Sequence, residues 1–113
     1  MLTREQILSA EDRVRELVEV PEWGGAVYVA VMSGTARDAW EAALIKDGKP
    51  DLEHMRAKLA AATVTDEAGD CLFSAADVAA LSARSSVALD RIVAVARRLN
   101  KLGIEGLEAA RGN

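Results

Sequence analysis

A chain of 113 residues, half of them hydrophobic and 28% charged, is long enough for one buried core, too short for two, and too apolar to stay unfolded. Fourteen basic against eighteen acidic residues leave a net charge of −4, with no basic block of the kind that grips a nucleic-acid backbone. A single cysteine excludes an intramolecular disulfide and favours a reducing compartment, and no apolar run approaches the roughly 18 residues of a membrane span.

In chain order, Thr3 with Gln6 forms a capping box that opens a short helix through Ile7 and Leu8 to about Glu11, with Met1 and Leu2 placed to staple onto it. Glu16 to Val20 reads as a strand, Val18 and Val20 on one side and Glu19 on the other. Pro21 ends it, and Gly24-Gly25 supply the positive φ of a tight reversal. Beyond the turn, Val27, Val29 and Val31 alternate with Ala26, Tyr28, Ala30 and Met32, the period of a strand with one buried face. The two runs make a β-hairpin. Ser33-Gly34 breaks the second strand, and Thr35 with Asp38 caps a helix whose Ala36, Ala39, Trp40, Ala43 and Leu44 form an apolar stripe. Strand valines and this stripe are the expected seed of the core. The helix is predicted to end near Lys46, with Gly48 as its C′ residue and Pro50 as its stop.

Asp51 is the expected N-cap of a third helix, with Leu52, Met55, Leu59 and Ala62 on its inner side. Thr63 to Thr65 reads as extended, Asp66 to Asp70 as a turn, and Cys71 to Phe73 as extended again, giving a small second hairpin or two edge segments. Ser74 with Asp77 opens a brief helix through Val78 and Leu81, which the serines between 82 and 86 interrupt. The longest helix runs from about Ser86 to Leu102, with Leu89, Ile92, Val93, Ala96 and Leu99 inward. Asp90, Arg91, Arg97, Arg98 and Lys101 face outward, and Gly103 terminates it. The expectation is therefore one α+β domain over residues 1–103, mostly helical, with an N-terminal β-hairpin packed against four to five α-helices. A frayed tail follows over 104–113. Much of the apolar content is alanine, with one Phe and one Tyr, so the core is expected to be thin and association with itself or a partner would support it.

No catalytic, cofactor-binding or metal-ligating residue is assigned. His54 is the only histidine and Cys71 the only cysteine, too few for a zinc site, and Cys71 is read as a small core residue. Asp66, Glu67 and Asp70 around Gly69 lack the glutamate that a calcium loop needs six residues after its glycine, since Ala75 stands there. No phosphate loop or nucleophile elbow occurs, so the chain is not expected to be an enzyme. Trp23 and Tyr28 are the candidate protein-binding residues. Trp23, at the hairpin tip beside two glycines, either stands out as an anchor or folds back onto Tyr28 or the hairpin face. The basic side of the last helix is read as a solvated face.

The run Val20-Pro21-Glu22-Trp23-Gly24-Gly25, followed by an alternating strand and Met32 to Glu41, resembles the small tail assembly chaperones of long-tailed bacteriophages and prophages. Val64 to Ser74, then Leu89-Asp90-Arg91-Ile92 and Arg98-Leu99-Asn100, fit the same family, so the resemblance spans roughly Leu2 to Leu102. It implies a non-enzymatic protein that binds the tape measure protein, keeps that long hydrophobic helical chain soluble, and helps tail-tube subunits polymerise around it. It further implies homo-oligomers, no cofactor, the host cytoplasm as the site of action, absence from the finished particle, and in many relatives a longer frameshifted form. Two other readings compete. The stretch Phe73 to Arg91 has some helix-turn-helix cadence, pointing to a DNA-binding regulator, but its turn lacks glycine and the chain is acidic. A structural tail component retained in the virion would look much the same in sequence.

Overall fold

The computed structural model describes residues 1–102; the Gly103 terminator and the tail expected over 104–113 lie outside the described residues. The first local motif forms as read. Thr3 Oγ1 accepts the Gln6 N–H and Gln6 Oε1 accepts the Thr3 N–H, opening helix α1 (Arg4–Leu8). Nothing in α1 is buried, and Met1, Leu2, Ile7 and Leu8 are all exposed, so the predicted staple covers no surface.

Strands β1 (Arg15–Val20) and β2 (Gly25–Ala30) pair antiparallel across a 3₁₀ turn at Pro21–Trp23, and Gly24 closes the turn at φ +74. The two-residue period decides the faces: Val18, Val20 and Val29 are buried, while Arg15, Leu17 and Glu19 are exposed on the opposite side. Helix α2 (Gly34–Ala42) follows, with Ser33 in place of Thr35 as its cap; Ser33 Oγ accepts the Ala36 N–H at 3.1 Å. The helix stops at Ala42 because β3 (Ile45–Lys46) and β4 (Lys49–Pro50) pair with each other. Asp47 at φ +52 and Gly48 at φ +75 form the two-residue loop between them, so Gly48 is a hairpin residue and not the terminator of α2. No residue of α2 is buried; Trp40 and Leu44 are half-buried and Ala39 and Ala43 exposed, so the predicted stripe is a rim, not the seed of the core.

Helix α3 (Met55–Thr63) starts later than the Asp51 cap predicts. Asp51 Oδ1 instead accepts the Glu53 N–H in a local turn, and His54 enters the helix from the left-handed region at φ +58. The late start rotates the inner face: Ala57, Leu59, Ala60, Ala61 and Thr63 are buried, while Leu52 and Met55 are exposed. Strand β5 (Val64–Thr65) continues directly from α3 and pairs with β2, making a three-stranded sheet in the order β1-β2-β5 where two strands were expected. The second hairpin shrinks to one bridge between Thr65 and Cys71. Cys71 is exposed, which corrects its core assignment: it lies past the last paired strand, where no element covers it.

The Ser74–Asp77 capping box forms and leads through a 3₁₀ turn into α4 (Val78–Ser82). Ser85 then caps α5 (Ser86–Asn100). Ala88, Leu89, Ile92, Val93 and Ala96 face inward; Leu99 is only half-buried, and Asn100 is buried beside it. Asn100 Oδ1 accepts the Met32 N–H at 2.8 Å, and Nδ2 donates to the Ala30 and Ala96 carbonyls at 3.3 and 2.9 Å. The end of α5 is thereby fastened to the junction between β2 and α2. Lys101 ends α5 at φ +57, ahead of the predicted Gly103.

The core lies between the inner sheet face and α3 and α5. Five of its fifteen residues are alanines (57, 60, 61, 88 and 96), and its largest fully buried side chains are Ile92, Val20, Val29, Val64 and Thr63. All four aromatic residues, Trp23, Tyr28, Trp40 and Phe73, are half-buried. The architecture is α+β and mostly helical, as expected, with its large rings at the periphery.

Candidate protein-binding grooves

Among the described residues, no group of three or more His, Cys, Asp and Glu is placed to hold a metal ion. The His54 ring is held between neighbours, Nδ1 2.8 Å from Ser82 Oγ and Nε2 3.2 Å from the Glu53 carboxylate. The surface features that demand explanation are apolar.

The first groove, about 410 Å³, is lined by Trp23, Phe73, Asp77, Ala80, Leu81 and Arg84. Its walls follow from local sequence. Pro21 presets the 3₁₀ turn that carries Trp23, and the Ser74–Asp77 box starts α4 so that Leu81 forms a buried floor. Asp77 and Arg84 give the rim one charge of each sign. The turn bearing Trp23 is itself anchored. Arg91 on α5 grips the Glu22 carboxylate with Nε at 2.9 and 3.1 Å and Nη2 at 3.0 Å. That hydrogen bonding to Arg91, helped by a backbone N–H, holds the Glu22 carboxyl below its ordinary range and raises Arg91 in turn. Arg98 makes a similar contact to Glu16 at 2.6 Å, and Arg56 to Asp90 at 2.6 Å. The basic side of α5, read from sequence as solvated, is thus partly a clamp on the hairpin. With Arg91 and Arg98 paired, and Leu89, Ile92 and Val93 buried, α5 is poorly suited to reading a DNA groove; α4 has only five residues.

Trp23 packs at the core edge beside α4. Tyr28 lies elsewhere: it faces Leu17 and Thr65 across the outer side of the sheet, under the Arg15 guanidinium at 4.1 Å. The structure therefore gives the two sequence-chosen residues separate surroundings, and Trp23 does not fold onto Tyr28.

A second groove, also about 410 Å³, was not anticipated. Trp40, Leu44, Met55, Leu59, Val93 and Leu102 line it, with Arg56, Asp90 and Arg97 around them. Trp40 Nε1 is buried there without a hydrogen-bond partner among the described residues, and Arg37 sits 5.7 Å from the ring. The signal in the sequence was a bulky ring flanked at helical spacing by alanines: such a ring overhangs its helix and walls a groove instead of filling a core. Met55 joins this exposed surface, whereas Met32 is buried.

No known family profile matches the chain, and no curated protein matches it. Among solved structures it is similar to the bacteriophage HK97 tail assembly chaperone, with a TM-score of 0.59 and 21% sequence identity over 84% of this chain and 90% of that one. The chain has that chaperone's fold, which agrees with the family resemblance carried by the Val20–Gly25 and Met32–Glu41 motifs.

Proposed function

We propose that this protein is a phage tail assembly chaperone that acts by binding and not by catalysis. It takes up the tape measure protein, keeps it soluble while the tail is built, and passes it to polymerising tail-tube subunits in the host cytoplasm before leaving the particle. The observation that carries this reading is the shared fold with the HK97 chaperone across 84% of the chain.

The grooves supply a physical route. A long hydrophobic helical client offers apolar side chains at i, i+3 and i+4, and each groove offers one tryptophan wall, an aliphatic floor and a charged rim. Two shallow sites on one small domain give weak contacts that become effective only in multiple, which suits a client that must later be released. Trp23 is the anchor of the first site. Tyr28, capped by Arg15, is available to the client from the outer sheet face.

The test is co-expression of the full chain with the tape measure protein of the same genome, followed by capture and a comparison of the soluble fraction. The tape measure chain is expected to become soluble only with this partner, and Trp23→Ala and Trp40→Ala to weaken capture while thermal unfolding confirms that each variant is folded. A tape measure chain that is equally soluble alone overturns the reading. So does finding the protein stoichiometrically in purified particles, which would make it a structural tail component.

A further inference from the structure

Among the described residues, strand β1 is an edge of the sheet, paired only with β2. Which of its backbone groups face outward follows from the ladder. Val31 N–H donates to Val14 C=O at 2.9 Å, so Val14 and Val31 form a hydrogen-bonded pair. Alternation then makes Glu16, Val18 and Val20 the residues bonded to β2. Arg15, Leu17 and Glu19 turn their N–H and C=O groups to the free edge, and among the described residues nothing bonds to them there. These same three residues carry their side chains on the exposed outer face, Leu17 at 54% exposure. An unpaired edge of this length can take up another strand whose side chains match it.

The side chains say which strand. Arg15, Leu17 and Glu19 form a sequence that is complementary to itself when reversed. We propose that two copies of this chain pair β1 against β1, antiparallel, about a two-fold axis at Leu17, doubling the three-stranded sheet. In that register Arg15 of one copy stands opposite Glu19 of the other, and Leu17 opposite Leu17. Each of these pairs is one that exchanges both N–H···O=C bonds, since each joins residues whose backbone groups face the free edge. A one-residue slip would set groups already bonded to β2 against the free edge, and a two-residue slip sets Leu17 opposite Glu19 or Arg15 and loses the reciprocal Arg15–Glu19 pairs. Glu19 has no ion-pair partner within the monomer among the described residues. Arg15 uses Nη1 on the Asp66 and Glu67 carbonyls and leans on Tyr28, leaving Nε and Nη2 to meet a carboxylate.

Sedimentation equilibrium of the full chain over a concentration series tests this, using Arg15→Glu, Glu19→Arg, their equimolar mixture and the double variant. The wild type is expected to dimerise, and each single reversal to raise the dissociation constant by about tenfold or more, since both symmetry-related pairs become repulsive. The mixture is expected to recover association, because a chain acidic at both positions then faces a chain basic at both. The double variant, with the two charges exchanged, is expected to recover it as well. Recovery on mixing cannot arise from misfolding of either single variant. A wild type that stays monomeric throughout overturns the proposal. So does a dimer that neither reversal weakens, or a weakening that neither mixing nor the double variant repairs.

Discussion

Asn100→Leu is the substitution that should unfold this protein most readily without touching a groove. The side chain is 7% exposed and makes three hydrogen bonds, to the Met32 N–H and to the Ala30 and Ala96 carbonyls. Leucine keeps the heavy-atom count and the branch at Cγ and removes them all. At about 1 kcal/mol net for each bond, the loss is about 3 kcal/mol, with the stranded Met32 N–H making the largest part of it. For a domain of this size that lowers the unfolding midpoint by about 12 °C. Urea denaturation with linear extrapolation measures it directly. A loss below about 1 kcal/mol would refute the argument, because it would mean that water or a local shift satisfies Met32 as well as Asn100 does. Asn100→Asp refines the test. It keeps an acceptor for Met32 but turns a second oxygen toward two carbonyls, so its acid form, which can donate, is the one the fold prefers. A raised folded-state pKa contributes stability at low pH that disappears as pH rises, so this variant should recover part of its deficit in mildly acidic buffer.

Further outcomes follow from other parts of the fold. Glu22 is held below its ordinary pKa by Arg91, so its contribution is present above the unfolded value and is lost as pH falls through the folded one. The stability gap between wild type and Glu22→Gln, followed by urea midpoints, should therefore narrow as the pH is lowered from neutral to below the ordinary carboxylate range; a gap that widens contradicts the pairing. Gly48→Val places a β-branched residue at φ +75 and should cost the β3–β4 hairpin about 1–2 kcal/mol, seen as faster amide exchange at Lys46 and Lys49. Because both strands are exposed, global unfolding should move far less. Cys71 should titrate fully with a thiol reagent in the native protein, and labelling that waits on global unfolding would restore it to the core.

What the sequence disclosed was local. The Thr3–Gln6 and Ser74–Asp77 boxes, the valine alternation and the inward face of α5 each depend on residues within a turn or two, and each is present. The errors arose where two local signals competed. Asp47-Gly48 is both a hairpin turn and a helix ending, and the helix reading won although Asp-Gly is the stronger hairpin sign. Asp51 is both a helix cap and a turn former, and the turn took it, rotating α3. The candidate surface was half legible. Trp23 was chosen for its place at the hairpin tip, but its groove depends on α4, and the Trp40 groove depends on α3 and α5 converging. The pairings of Glu22 with Arg91 and of Glu16 with Arg98 join residues 69 and 82 apart, beyond any periodicity.

The alanines at 57, 60 and 61 on α3 and at 88 and 96 on α5 have a mechanical consequence. Small side chains bring two helices close and leave few rotamers that can give way, so the distance between α3 and α5 is a nearly fixed dimension. Leu59 and Val93, one from each helix, wall the Trp40 groove, and its width is therefore gauged by backbone spacing. Under the proposed function, a client of different girth must be accommodated at the mouth, by Met55, Arg56 and the Trp40 ring, while the floor keeps its calibre. Selection among clients should accordingly evolve through rim exchanges that leave folding untouched, and enlarging Ala57 or Ala60 should change what the groove admits by forcing its walls apart.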